Sequence, residues 1–481
     1  MNVFIVGSTG FIGRNITAYL QGQGHCLTAW VRNLDKAKNS LGNEVRFVSD
    51  YDIDLEHEMN VADAVINVAG EQLSGVRWSK RKKQDFYSSR IDINDILVTA
   101  MLNCDKPPKT FLAASAIGYY AESFSEIKYE NSPGSNTFLG KLCADWENSA
   151  NRAAERGIRV CNLRFGLAIG REGGILNQMS MSFEYGIGAN LGKGNHKFSW
   201  IHIVDLVRSV GICLQNDCIF GPVNITSPHP VKFKEFVTAL ADNTAAFCVL
   251  PVPLFLLKII YGFGESAKHL TNSHNIFPNK LLESGFKFKF PSIIQAIRHE
   301  YNSSDVNIIR YKTDKNDPLN SIKSEYFKNS KAQYELNTRI YLNSDARTVF
   351  NFFSSPLNLG MATPSWLGFK ILTMPEQIQK KAQFEYRIKL GPVPFRWVTE
   401  IAKWNQGETF IDFQRKGPYT LWWHEHRIFD NDNNSSVMED RILYTVPFGV
   451  LGRLGHFLFV KKTLNKIFNY RRRVIYLRFK G

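Results

Sequence analysis

The sequence lacks the marks of several protein classes. Its seven cysteines form no Cys-x-x-Cys pair and no zinc spacing, and the odd number argues against a disulfide framework. A reducing, cytoplasmic setting is expected. No run of about 18 apolar residues is free of charge and proline, so no membrane-spanning helix is expected. The nearest stretch, 250–261, is short and contains Pro251, Pro253 and Lys258. The first strand begins at once, which leaves no room for a signal or transit peptide. Residues 451–481 contain no acidic residue but nine Lys or Arg, so much of the formal net charge of +15 sits there. That charge would suit nucleic acid or an anionic membrane. No nucleic-acid-binding motif accompanies it, so no nucleic-acid partner is expected.

What is present describes a folded protein. Hydrophobic residues make up 44% and charged residues 21%. At 481 residues, two or three domains are expected. The chain opens with Val3-Phe4-Ile5-Val6, an apolar run read as a buried strand. Gly7-Ser8-Thr9-Gly10-Phe11-Ile12-Gly13 follows, then a helical pattern with Ile16 and Leu20 on one face. A second strand ends at Arg32. Strand, glycine turn, helix and strand open a dinucleotide-binding α/β fold with a doubly wound parallel sheet. Gly7, Gly10 and Gly13 let the backbone turn and approach a pyrophosphate at the helix N-terminus.

One further absence matters here. NAD-preferring folds place an acidic residue after the second strand, to bind the ribose 2′-hydroxyl. This chain has Val31-Arg32-Asn33. A guanidinium suits a 2′-phosphate, so NADP(H) is expected over NAD(H). The strand Ala64-Val65-Ile66-Asn67-Val68 leads into Ala69 and Gly70, which permit close approach to the adenosine half. A basic helix follows over 79–103, and its Arg81, Lys82, Lys83 and Arg90 read as a solvated face. The strand Thr110-Phe111-Leu112-Ala113-Ala114-Ser115 ends where open α/β sheets place their chemistry. There stand Ser115, Tyr119 and Tyr120.

The glycine turn, with Thr9 and the Phe11-Ile12 pair, resembles the extended short-chain dehydrogenase/reductase (SDR) superfamily. That resemblance implies a hydroxyl that polarises the substrate, a tyrosine that passes a proton, and a lysine four residues later that holds the nicotinamide ribose. Ser115 and Lys141 match the first and last. The tyrosine slot holds Thr137, so Tyr119 or Tyr120 either stands in for it or packs against the following loop. Gly118-Tyr119-Tyr120, Cys143-x-x-Trp146-Glu147, Trp200-Ile201-His202-Ile203-x-Asp205-Leu206 and Gly285-Phe286-Lys287-Phe288-Lys289-Phe290-Pro291 narrow the resemblance. They are similar to an atypical NAD-dependent epimerase/dehydratase subgroup, over about 1–300, with a family-specific segment at about 240–300. The resemblance implies a homodimer and places His202 on the substrate side of the cleft. Read alone, a histidine in that apolar stretch is a packed core residue.

Residues 301–333 are polar and read as a linker, with one short ordered segment near Val306 to Tyr311. From Tyr334 the pattern is strand, short helix, successive antiparallel strands and a long closing helix. With Val349-Phe350-Asn351-Phe352-Phe353 and Gly417-Pro418-Tyr419-x-x-Trp422-x-His424, it resembles the SRPBCC (START or Bet v 1-like) superfamily over about 334–475, in a domain expected to span 334–481. That implies an α+β helix-grip domain around an apolar cavity for a lipid-like ligand. Trp366, Phe369, Trp397, Phe413, Tyr419, Trp422 and Trp423 are candidate lining residues, although Trp422 and Trp423 must face opposite ways. His424 and His426 share one strand face. No third ligand stands near them in sequence, so no metal is expected. The final basic helix either rests on anionic lipid or covers the sheet with its charges solvated.

Two functional readings follow. In one, the chain is a cytoplasmic NADP(H)-dependent oxidoreductase or epimerase-like enzyme with a small-molecule substrate and a fused apolar-ligand domain. In the other, Thr137 marks a catalytically silent NADP(H)-binding protein whose last domain carries a lipid.

Overall fold

The apolar runs of the first half become a seven-stranded sheet. In the computed structural model its order is Gly221–Ile225, Arg159–Phe165, Thr110–Ala116, Ala64–Asn67, Asn2–Val6, Cys26–Trp30 and Arg46–Val48. Every pairing is parallel. The structure describes all residues except 51–52, 74, 263–264, 302–305, 329, 392, 432–433 and 480–481. Part of the expected linker and Lys480 therefore lie outside the described residues. Central strands are apolar without alternation because both faces are covered, as Ile5, Val65, Ile66 and Phe111 show. Helices Phe11–Gly22 and Ile203–Gln215 pack together, as do Ile93–Asn103 and Phe138–Asn151. The strand order turns back at Asn2–Val6, which opens the crevice where such sheets bind ligands.

Contacts divide the chain into two units. One is Met1–Leu34 with Val45–Asn302, and the other is Asp35–Glu44 with Ser303–Gly481. The second unit holds an eight-stranded sheet in the order Val306–Arg310, Tyr334–Leu342, Ser435–Thr445, Leu421–Asn431, Thr409–Lys416, Val393–Asn405, Gln383–Leu390 and Lys370–Thr373. All its pairings are antiparallel. Side-chain alternation gives it two apolar faces. Trp397, Trp422 and Tyr444 pack with Leu464 and Phe468 of the helix Lys461–Phe479. Phe413, Trp423 and Leu443 pack on the other face, with Leu319 and Tyr326.

The ordered segment expected near Val306 to Tyr311 is a strand, and the helix beyond it corrects the rest of the linker reading. Val306–Arg310 pairs with Tyr334–Leu342, and the helix Asn320–Phe327 supplies Tyr326 to the core. Asp317 accepts hydrogen bonds from Lys323 and Arg441, which fixes this segment to the sheet. Its composition misleads because a one-sided helix buries few side chains.

The closing helix covers the sheet, with Leu464, Phe468, Val474 and Ile475 buried. Its charges are not all solvated, since Arg471 and Arg473 are buried too. The exposed apolar residues precede the basic run and include Phe448, Leu451, Leu454 and Phe457. Among the described residues no helix is long and apolar enough to cross a membrane.

Candidate functional site

The three glycines of the opening turn serve different needs. Gly7 has φ +83°, and a Cβ there would lie 2.6 Å from the Ala69 nitrogen. A Cβ on Gly13 would lie 2.1 Å from the Gly7 oxygen. The chain's own packing therefore requires both. Gly10 differs: its Cβ would meet only the Gly7 oxygen, at 3.3 Å. It is the N-cap of Phe11–Gly22, and no side chain caps that helix. The first-turn N–H groups thus end the helix uncapped, ready for an anion. Thr9 and Ile12 are half-buried in this turn. The Phe11 ring fills the space over Gly170 and Gly173, where added Cβ atoms would come within 2.7 and 2.2 Å of it. Phe11 therefore offers the cleft its backbone while its ring pins the loop at 170–174.

Arg32 stands exposed just beyond Cys26–Trp30. The Trp30 indole donates to Asp50 at 2.6 Å. Ala69 and Gly70 are held from beneath. The Ala69 N–H donates to Asn67 at 3.0 Å, and Asn67 donates to Asn94 at 2.8 Å. Arg90 donates to the Glu71 carbonyl at 2.8 Å, and its guanidinium lies 3.2 Å from where a Gly70 Cβ would be. Arg90 is thus buried rather than on a solvated face, and burial lowers its pKa to about 10.

The expected catalytic cluster does not assemble as open groups. Ser115 donates to Glu147 at 2.6 Å. Arg164 grips both Glu147 oxygens at 2.7 Å and donates to the Tyr120 hydroxyl at 2.7 Å. Tyr120 donates to Asn224 at 2.7 Å. Ser115 and Tyr120 are each 2% exposed, and burial pushes the Tyr120 hydroxyl up to about 12. Both therefore sit in a buried hydrogen-bonded network, which for Tyr120 is the packed alternative. Tyr119 is half-buried, with the Arg164 guanidinium 3.6 Å from its ring centre and its ring against Gly134. Thr137 caps the helix Phe138–Asn151, accepting from the Gly140 N–H at 3.1 Å. Lys141 is exposed one turn on. Sequence reasoning missed Glu147 and Arg164 as a pair. The signal was a charged residue inside the apolar run Val160-Cys161-Asn162-Leu163-Arg164-Phe165, which must find a partner when buried.

His202 is the packed core residue that its apolar stretch suggests. It is 0% exposed, its Nδ1 accepts from the Val204 N–H at 3.3 Å, and its Nε2 lies 3.1 Å from Glu300. It caps the helix Ile203–Gln215 rather than facing substrate. Asp205, also 0% exposed, accepts from the Lys289 and Phe290 N–H groups at 2.9 and 2.8 Å. Two distant motif segments therefore meet in one clamp.

The sequence has relatives among known proteins. A chloroplastic epimerase family protein of Arabidopsis thaliana, an SDR39U1 homolog, is 32% identical over 302 residues, covering 62% of this chain and 86% of that protein. The model of the NAD dependent epimerase/dehydratase family matches residues 3–225. The chain belongs to this epimerase family. A domain of unknown function, DUF1731, matches 252–300, the region that includes the segment clamped by Asp205. The Bacillus subtilis epimerase family protein YfhF is 32% identical over 298 residues, covering 62% of this chain and 97% of YfhF. Human SDR39U1 (isoform 2), crystallised with NADPH, is 26% identical with a TM-score of 0.56, covering 63% of this chain and 100% of that one.

Beyond the epimerase-family region, the second unit encloses a cavity of about 160 Å³. Phe369, Trp397, Tyr419 and Trp422 line it. Phe413 and Trp423 lie on the opposite sheet face, and Trp366 sits 5.3 Å from the Lys466 ammonium outside these walls. Asp412, His424, His426 and Arg471 add a polar wall. Strand register explains it: Asp412 pairs with His424, and His426 pairs with Asp440. The His424 Nε2 lies 3.1 Å from Asp440 and its Nδ1 3.6 Å from Asp412. The His426 Nε2 lies 3.0 Å from Asp412 and its Nδ1 2.8 Å from Asp440. Burial, with His426 beside it, lowers His424 to about 4. The expectation that the histidine pair has no third ligand nearby is thereby corrected.

Proposed function

We propose that the first unit binds NADP(H) and exchanges hydride with a small-molecule substrate, as a cytoplasmic epimerase-like oxidoreductase. The observation that carries this is the uncapped helix end at Gly10 with Arg32, not an acid, beyond the second strand. The residues fit the cofactor's chemistry: N–H groups for a pyrophosphate, a guanidinium for the 2′-phosphate, and a slim Ala69–Gly70 edge for the adenosine. Once bound, the nicotinamide supplies or accepts the hydride. Lys141 holds its ribose, and Tyr119 is the hydroxyl that moves the proton. The human relative crystallised with NADPH supports this choice of cofactor. A Corynebacterium glutamicum structure described as a nucleoside-diphosphate sugar epimerase, 28% identical with a TM-score of 0.50, favours sugar nucleotides as the first substrates to test.

The test is mass spectrometry of nucleotide carried through purification, then NADPH oxidation across a sugar-nucleotide panel. Turnover that falls in Tyr119→Phe and Lys141→Ala supports the enzyme. No micromolar nucleotide binding refutes it. The silent-carrier reading has its own observation, because Thr137 is used as a cap while Ser115 and Tyr120 are engaged in a network. It predicts tight NADPH binding with no oxidation of any panel member.

For the second unit we propose the SRPBCC-like, helix-grip role of holding an apolar ligand. A cavity of about 160 Å³ is close to one that admits a single aromatic ring. Trp397 and Trp422 make fluorescence quenching the assay. Peripheral contact with an anionic membrane falls to the exposed apolar stretch at 448–459 with Arg453, Lys461 and Lys462 beside it. Co-sedimentation with phosphatidylserine vesicles that survives Leu451→Ser and Phe457→Ser would refute that contact.

A further inference from the structure

We propose that Asp412, His424 and His426 bind a first-row divalent metal ion on the wall of the second unit's cavity, leaving a coordination position open to that cavity. One potential ligand atom from each lies within 4.8 Å of the others. The three side chains share one sheet face, set by the pairing of Asp412 with His424 across neighbouring strands.

The argument rests on which ring nitrogens carry protons. Asp440 is buried and cannot be a ligand, because its oxygens are already engaged. Its Oδ1 lies 3.1 Å from the His424 Nε2 and 2.8 Å from the His426 Nδ1, and Thr338 donates to its Oδ2 at 3.2 Å. Arg471 approaches the same Oδ1 at 3.4 Å and balances its charge. A carboxylate that takes one N–H from each imidazole leaves the other nitrogens as lone pairs. Those are the His424 Nδ1 and the His426 Nε2, and both face the Asp412 Oδ2, at 3.6 and 3.0 Å. Ligand edges of a tetrahedral zinc site are about 3.3 Å, from bonds of about 2.0–2.1 Å. Three such atoms at that spacing can hold a cation among them. Histidine ligands oriented by an outer carboxylate are the usual support of such sites.

The surroundings hold the rings in place. The Phe410 ring stacks on His426 with centroids 4.1 Å apart and planes at 19°, and the two imidazoles lie 3.8 Å apart. Two imidazoles and a carboxylate suit zinc or ferrous iron. Trp397 and Trp422 line the same cavity, so the added ligand would be a ring-sized apolar molecule with one oxygen or nitrogen donor. The rival is a closed network without metal, in which Arg471 donates to the His426 Nδ1, 3.2 Å away, and His426 donates to Asp412. The metal binds whether or not the apolar ligand of the proposed function does, so the two readings fail separately.

The experiment uses the full chain stripped with a chelator, then titrated with zinc by calorimetry and with cobalt(II) by visible absorption. The expected result is one equivalent of either ion and cobalt d–d bands without a thiolate charge-transfer band. His426→Gln and Asp412→Asn abolish that equivalent, and Asp440→Asn weakens it about 10- to 100-fold. NADPH binding by the first unit stays unchanged and reports folding there, while near-ultraviolet circular dichroism reports the second unit. If a variant fails to fold, the cobalt spectrum of the unsubstituted chain decides. No uptake, a thiolate band, or uptake unaffected by His426→Gln and Asp412→Asn overturns the proposal.

Discussion

Two buried polar clusters, one in each unit, contain side chains that look catalytic in sequence, and they are built to opposite ends. In the first unit Ser115, Glu147, Arg164, Tyr120 and Asn224 form a chain in which each group meets a partner at 2.6–2.7 Å. In the second unit Asp412, His424 and His426 face a cavity. The first cluster is closed, and its hydroxyls are committed to holding a buried ion pair. In the second, Asp440 meets one nitrogen of each ring, and the remaining nitrogens turn toward Asp412 on the cavity wall. Residue type alone does not separate the two cases, but what lies on the far side of each polar atom does.

The largest effect that would test this contrast is in the closed cluster. Arg164→Met leaves the Glu147 carboxylate buried without its partner, which costs about 3–5 kcal/mol. Urea unfolding followed in the first unit should show that loss. A cost within about 1 kcal/mol would mean the cluster is not closed.

A second closed cluster, on the other sheet face of the second unit, gives a pH test. Burial raises the Asp317 pKa, but hydrogen bonds from Lys323 and Arg441 outweigh it and hold the carboxyl at about 2. Its ordinary value is 3.8, so its folded pKa is depressed. The stabilisation is complete above the ordinary value and is lost as pH falls toward about 2. It amounts to about 2 kcal/mol at neutral pH. Asp317→Asn should remove it and flatten the acid limb of the stability curve between pH values of about 4 and 2. An unchanged acid limb would show that the supposed linker is not anchored there.

Ser115→Ala sharpens the comparison on a smaller scale. The change leaves Glu147 short of one hydrogen bond and costs about 1–2 kcal/mol, with NADPH turnover retained. Lost turnover at unchanged stability would return Ser115 to a catalytic role.

Much of the first unit was legible because its signals are local. Apolar runs, glycines and the strand end at Arg32 sit within a few residues of what they determine. The commitment of Ser115 was not, because its partner Glu147 lies in a later helix and only the fold brings them together. Asp412 escaped notice for a similar reason: strand register, not sequence distance, sets it opposite His424. The polar stretch at 312–333 looked unstructured because a one-sided helix needs few apolar residues. The alternation of Trp422 and Trp423 was readable from strand geometry, and the structure puts them on opposite faces.

In the proposed function the opening turn holds NADP(H) and Arg32 selects it. Dissociation constants for NADPH and NADH, measured on the full chain and on Arg32→Ala, test it most directly. A charge-assisted hydrogen bond contributes about 1.5–3 kcal/mol, or about 10- to 150-fold in affinity. NADPH should be preferred by about that factor in the unsubstituted chain, and Arg32→Ala should lose the preference while NADH affinity stays the same. Undiminished NADPH preference in Arg32→Ala would contradict it.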